Sequence, residues 1–171
     1  ASQFNGGQSA GNRLGFKGTE DLGNGLKALF LMEQGFALDQ NNAEVAAYSS
    51  NNFSYTRQAY MGLSGNFGTV IGGRLYTPHY SFVSALDPFA AGTVGRYNNV
   101  FGGSSGEGAY AGGGNSLVDP VRVNNAIAYV SPSFGGFTVT GAFSNNAFAN
   151  DSLAGNAKNN TVYALLGQYA N

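Results

Sequence analysis

The chain reads as all-β, an antiparallel transmembrane β-barrel type of which about seven strands are in this chain, and three observations predict it. Charged residues make up 10% of its 171 residues, 8 basic against 9 acidic, where a soluble domain carries about 25%. Apolar and polar residues alternate with a two-residue period in one segment after another. The connections between those segments alternate between short Gly/Asn/Pro turns and long loops. That asymmetry describes a meander of strands crossing a membrane, and a soluble sandwich has no reason to keep it.

Composition narrows the function classes. The chain is 43% apolar and carries 13 Phe and 10 Tyr, too many for a disordered segment. It has 27 Gly and 20 Asn, and covers itself with Asn, Ser, Gly and Tyr where a soluble globule uses Lys and Glu. Cysteine is absent, which excludes disulfide scaffolds, zinc ribbons and thiol chemistry together. A net charge of −1 gives no support to a nucleic-acid partner. No run of apolar residues is long enough for a membrane-spanning helix. Ala1-Ser2-Gln3-Phe4 lacks the basic and apolar regions of an export signal, so the chain is expected to be mature or to begin inside a longer sequence. Two classes remain: an outer-membrane barrel, or a secreted or surface β-rich protein such as an adhesin or carbohydrate binder.

The strands follow in order. In Arg13-Leu14-Gly15-Phe16-Lys17 one face carries Arg13 and Lys17 and the other Leu14 and Phe16. Lys27 to Glu33 repeats the alternation less cleanly; a helix is the alternative reading, but Gly25 and Gly35 bound the run closely and favour a strand. Further strands are expected at Phe53 to Ser64, Thr69 to Tyr76, Val121 to Ser131, Phe137 to Ser144 and Thr161 to Tyr169. Turns at 21–25, 65–68 and 132–136 close hairpins. Long connections lie at about 39–52, 77–119 and 145–160, with only a short helical turn expected near Phe82 to Leu86. A loop of roughly 40 residues needs a function to justify it. Seven strands with a polar inner face cannot close around a filled core, so the chain is expected to be about half of a larger barrel. A complete small barrel would need an even strand count and a plugged interior. The aromatics Phe16, Phe30, Tyr60, Tyr129, Phe137, Phe143, Tyr163 and Tyr169 are expected to face outward to lipid; in a soluble protein they would fill a core.

Several stretches resemble the general porins of β-proteobacterial outer membranes. They are Arg13-Leu14-Gly15-Phe16-Lys17-Gly18-Thr19-Glu20-Asp21-Leu22-Gly23, Leu26-Lys27-Ala28, and Arg57 to Gly68 (Arg-Gln-Ala-Tyr-Met-Gly-Leu-Ser-Gly-Asn-Phe-Gly). They continue with Gly73-Arg74-Leu75-Tyr76-Thr77-Pro78, Arg122-Val123-Asn124-Asn125-Ala126-Ile127 and Ser131-Pro132-Ser133-Phe134-Gly135-Gly136-Phe137. Order and spacing agree over nearly the whole chain; Leu31 stands where the pattern has a polar lumen residue. The resemblance implies a sixteen-stranded porin barrel and a homotrimer set in outer-membrane lipid and lipopolysaccharide. The single barrel domain, 1–171, would start near loop 1 and end near strand 8, the family's first strand and C-terminal half lying outside it. Loop 77–119 would fold inward as the constriction loop. The implied function is a water-filled channel for passive diffusion of small hydrophilic solutes and ions, with no cofactor.

The arginines on strands fall at related heights. Arg13 lies 11 residues before Asn24, Arg57 lies 10 before Phe67, Arg122 lies 12 before Phe134, and Arg74 lies 7 past Phe67, somewhat lower. A single strand arginine is usually a solvated or salt-bridged surface group, but a charge facing the lipid midplane costs ~2–4 kcal/mol. Arg13, Lys17, Arg57, Arg74 and Arg122 are therefore expected to form a basic ladder facing the lumen, and by resemblance they line the constriction. The inward loop would set Asp87, and also Glu107, across from them. The plainer readings are an Asx-type acceptor ahead of Pro88 for Asp87 and a solvated loop residue for Glu107. Opposed charges across a narrow wet gap make a transverse field that orients dipolar solutes, and the basic excess predicts a preference for anions. His79 is the only histidine; Ser81 and Ser84 lie close in sequence, but no nucleophile-elbow motif accompanies them, and no catalysis is expected. Gly72-Gly73 and Gly112-Gly113-Gly114 lack the setting of a phosphate loop. Asp39, Glu44, Asp119 and Asp151 lack calcium-loop spacing, and no metal site is expected.

Overall fold

The computed structural model describes residues 12–36, 54–89, 121–147 and 161–170. The two-residue period becomes seven strands: β1 (Arg13–Gly23), β2 (Leu26–Phe36), β3 (Ser54–Gly65), β4 (Gly68–Tyr76), β5 (Arg122–Val130), β6 (Phe137–Ser144) and β7 (Val162–Tyr169). Each is antiparallel to its sequence neighbour in one sheet of order β1-β2-β3-β4-β5-β6-β7. The β1–β2 turn runs through the left-handed region, with φ of 89°, 52° and 78° at Gly23, Asn24 and Gly25. Asp21 Oδ1 accepts the Gly23 N–H at 2.8 Å and closes this turn, of the kind that matches strand twist.

Cross-strand partners share a face, so the register sorts the side chains without ambiguity in mid-sheet. One row runs Gly18–Phe30–Met61–Gly72–Ile127–Phe143–Tyr163 across all seven strands. The adjacent row runs Lys17–Leu31–Tyr60–Gly73–Ala126–Ser144–Val162. The first row is open: Met61 is 71% and Tyr163 77% exposed, whereas Ala126 and Ser144 in the second are 5% and 1% exposed. In mid-sheet the fully apolar row is thus the uncovered one, and the row of smaller, more polar residues is buried where it crosses β5 and β6. A water-soluble sandwich would do the reverse, and no second sheet packs on these rings among the described residues. A face built this way suits hydrocarbon.

The covering element is α1 (Pro78–Leu86), which follows β4 directly and packs on β6 and β7. On the same face the buried Leu75, Val123, Ala126, Ala128 and Ala147 form a small core, with Tyr60, Ile71, Ala142 and Val162 packed against it. This helix is longer than the short turn expected near Phe82 to Leu86. Its start is specified by Thr77, whose hydroxyl accepts the Tyr80 N–H at 3.2 Å, and by Pro78 at the first helical position, a strong start signal.

A second correction concerns Tyr60, expected outward. It pairs with Leu31 and Gly73 on the inner face. The reason is a bulge: Glu33 pairs with Gln58 and Gln34 with Thr56, leaving Arg57 as the extra residue of β3. Strict alternation would put Arg57 and Tyr60 on opposite faces, and the extra residue resets the count. Both side chains then turn inward. The other outward aromatics, from Phe16 to Tyr169, lie on the exposed face, with Phe143 and Tyr163 ring centroids 5.1 Å apart.

Candidate functional site

The bulge that turns Arg57 inward aims it at Glu33 of β2. Arg57 Nε donates to Glu33 Oε1 at 2.7 Å, with the two side chains 9% and 15% exposed. Arg13 of β1 approaches the other carboxylate oxygen at 3.9 Å from the open side. The far end of the same guanidinium, Arg57 Nη2, donates to the Tyr76 hydroxyl at 2.8 Å. Arg122, the cross-strand partner of Tyr76, donates to that same oxygen at 3.1 Å. Its guanidinium carbon also stands 4.8 Å from the Tyr76 ring centroid, within cation–π range. Arg13, Arg57 and Arg122 are in this way joined through Glu33 and Tyr76 into one network across five strands.

Helix α1 completes the network from above. Tyr80 in its first turn packs on Tyr76 with ring centroids 4.8 Å apart. Burial pushes the Tyr80 phenol above its usual 10.0; Tyr76 adds to the rise, while Arg122, Arg57 and Arg13 pull it the other way. The helix therefore lies within the field of all three arginines. That field is net positive, three guanidiniums against the one Glu33 carboxylate. Two like charges about 6 Å apart, the widest spacing the shared hydroxyl allows, repel by about 0.7 kcal/mol in water and about 3 kcal/mol at an effective dielectric constant of 20. The Tyr76 oxygen and the Glu33 carboxylate offset that repulsion.

The remaining expected site residues are placed differently. Arg74 is a strut within the wall: Nε donates to the Thr56 carbonyl at 2.9 Å and Nη1 to Asn124 Oδ1 at 2.5 Å. It sits beside an irregularity, for the β4–β5 register shifts between Gly73 and Leu75. Gly73 has φ +141°, and a Cβ there would run into the Ala59 carbonyl oxygen. Lys17 is on the inner face, opposite Leu31 and one pleat from the β1 position that pairs with Glu33. Asp87 ends α1, and its Oδ1 accepts the Phe89 N–H at 2.9 Å, the Asx-type turn that precedes a proline loop. Along the helix axis it stands about 10 Å beyond Tyr80. Glu107 lies outside the described residues. His79 is exposed on α1, and the Ser84 hydroxyl donates to the Ser81 carbonyl at 3.2 Å. Among the described residues no three His, Cys, Asp or Glu side chains group as metal ligands.

Sequence reasoning missed Glu33, Tyr76 and Tyr80. For Glu33 a signal existed: counting back from the Asn24 turn sets it opposite Gly15, one inner position from Arg13.

Known proteins agree with this architecture. A family model described as Gram-negative porin matches residues 1–171. Outer membrane porin protein 32 of Delftia acidovorans is 38% identical over 126 residues, covering 74% of this chain and 32% of that protein. An outer membrane porin protein of Bordetella pertussis is 34% identical over 147 residues, covering 85% of this chain and 34% of the relative. The chain thus spans about a third of the length of these curated relatives. Among solved structures, an anion-selective porin from Comamonas acidovorans superposes with a TM-score of 0.60 at 31% identity, over 81% of this chain and 37% of that one. An uncovered apolar face, a helix-covered inner face and a match along the whole length lead to one assignment: the chain belongs to the Gram-negative porin family, whose place is the outer membrane.

Proposed function

We propose that this chain supplies part of the wall and constriction of a water-filled outer-membrane channel for passive diffusion of small hydrophilic solutes, with a preference for anions. The observation that carries it is the joined Arg13–Glu33–Arg57–Tyr76–Arg122 network on the same face that α1 covers. Size is selected by the gap between the wall and the inward-folding loop proposed for 77–119, of which α1 is the described part. Charge is selected by the positive excess of the network. Lys17 and Arg74 extend the basic wall, and Asp87 and Glu107 belong to the facing side, so that polar solutes orient in the field between them. The resemblance of the chain to an anion-selective porin supports the sign of the preference. The working unit is a homotrimer in outer-membrane lipid and lipopolysaccharide.

Single-channel recording of the full porin in a planar bilayer under a potassium chloride gradient tests the reading. A reversal potential set by chloride is expected, with a trimer that migrates differently on a gel before and after heating. A reversal potential set by potassium overturns the anion preference, and a protein that is soluble without detergent and conducts nothing overturns the channel.

A further inference from the structure

We infer that Tyr76 is a positioning residue that sets the anion selectivity of the pore by holding Arg57 and Arg122 together; this rests on the channel reading above. One hydroxyl oxygen accepts from both guanidiniums, at 2.8 Å and 3.1 Å. Their nearest nitrogens therefore stand no more than about 6 Å apart, although the arginines come from strands 65 residues apart in sequence. Like charges at that spacing repel, and an oxygen between them that accepts from both offsets the repulsion. The Glu33 carboxylate reaches Arg57 and Arg13, and the hydroxyl that joins Arg57 to Arg122 is that of Tyr76. With its oxygen engaged by two donors, that hydroxyl has only its proton left to offer, a further donor of the sign an anion seeks.

The ring has two contacts of its own. Arg122 lies over it at 4.8 Å, and Tyr80 of α1 packs against it at 4.8 Å with planes inclined by 38°. Tyr76 is thus the point where the wall arginines and the loop helix meet. Its loss would let the guanidiniums spread and dilute the positive field without removing any charge.

The test compares Tyr76→Phe with Tyr60→Phe in the full porin, reading chloride-to-potassium permeability from reversal potentials and trimer melting on a gel. Tyr60 also carries its hydroxyl on the inner face, but in a different row from Tyr76. Tyr76→Phe is expected to lower the ratio roughly threefold, as the potential of a displaced unit charge would, with trimer melting and the Tyr60→Phe ratio unchanged. An unchanged ratio in Tyr76→Phe overturns the inference, with or without earlier melting. Equal falls in both variants also overturn it, since any inner hydroxyl would then serve. A wild-type channel without anion preference refutes instead the reading on which the inference stands.

Discussion

Replacing Glu33 by Gln isolates the electrostatic part of the site, because it removes one negative charge and keeps the shape. The carboxylate lies 2.7 Å from Arg57 and 3.9 Å from Arg13. An anion resting on the far side of Arg13 would stand about 7 Å from it, adding one charge-assisted contact of about 3 Å. At that distance a unit charge contributes about 0.6 kcal/mol in water, a factor of about 3 in anion occupancy. At an effective dielectric constant of 20 the same geometry contributes about 2.4 kcal/mol, so threefold is the floor, appropriate to a wide wet passage. Reversal potentials across a potassium chloride gradient measure the effect as a rise in chloride-to-potassium permeability. The substitution also weakens the hold on Arg57, for a loss of about 1–3 kcal/mol in stability, read from the urea midpoint. An unchanged permeability ratio, or a shift toward potassium, would refute the reasoning, since passing ions would then not sense this carboxylate.

Other perturbations probe the wall. Gly73→Ala places a Cβ against the Ala59 carbonyl at φ +141° and should cost about 1–3 kcal/mol, read from the same denaturation curve. Met61→Arg on the open face should cost ~2–4 kcal/mol when the protein is refolded into lipid vesicles, whereas Thr140→Arg on the inner face should cost much less. Burial raises the Tyr80 phenol, so its neutral form is favoured in the folded protein. Its contribution to stability is complete below about pH 10 and is lost as pH rises through the raised value. Tyr80→Phe should flatten that alkaline decline in a melting series carried from neutral into strongly alkaline buffer.

The strands were legible because a wall between oil and water leaves a two-residue signature in every crossing. The heights of Arg13, Arg57 and Arg122, counted from the turns, correspond to side chains that meet in one network. Facing was harder to read. Arg57 and Tyr60 have opposite parity, so alternation forces one of them outward, and only the bulge at Arg57 lets both turn in. A bulge is set by the partner strand, and nothing in Thr56-Arg57-Gln58 announces it. Glu33 and Tyr76 escaped notice for a related reason: each acts through a neighbour across the sheet, and tyrosine at a strand end reads as an interfacial ring. The helix was under-read despite Thr77 and Pro78, because the glycines further along 77–119 made the whole connection look structureless.

Between Tyr76 on the wall and Pro78 in α1 there is one residue, Thr77, itself 1% exposed and hydrogen-bonded to the helix it begins. A joint that short leaves no slack for a swinging shutter, and the stacked tyrosines clamp it on the adjoining side. In the channel proposed above, α1 would then act as a fixed part of the rim, and the current is expected to rise in simple proportion to applied voltage. Tuning such a rim is then a matter of which side chains it carries.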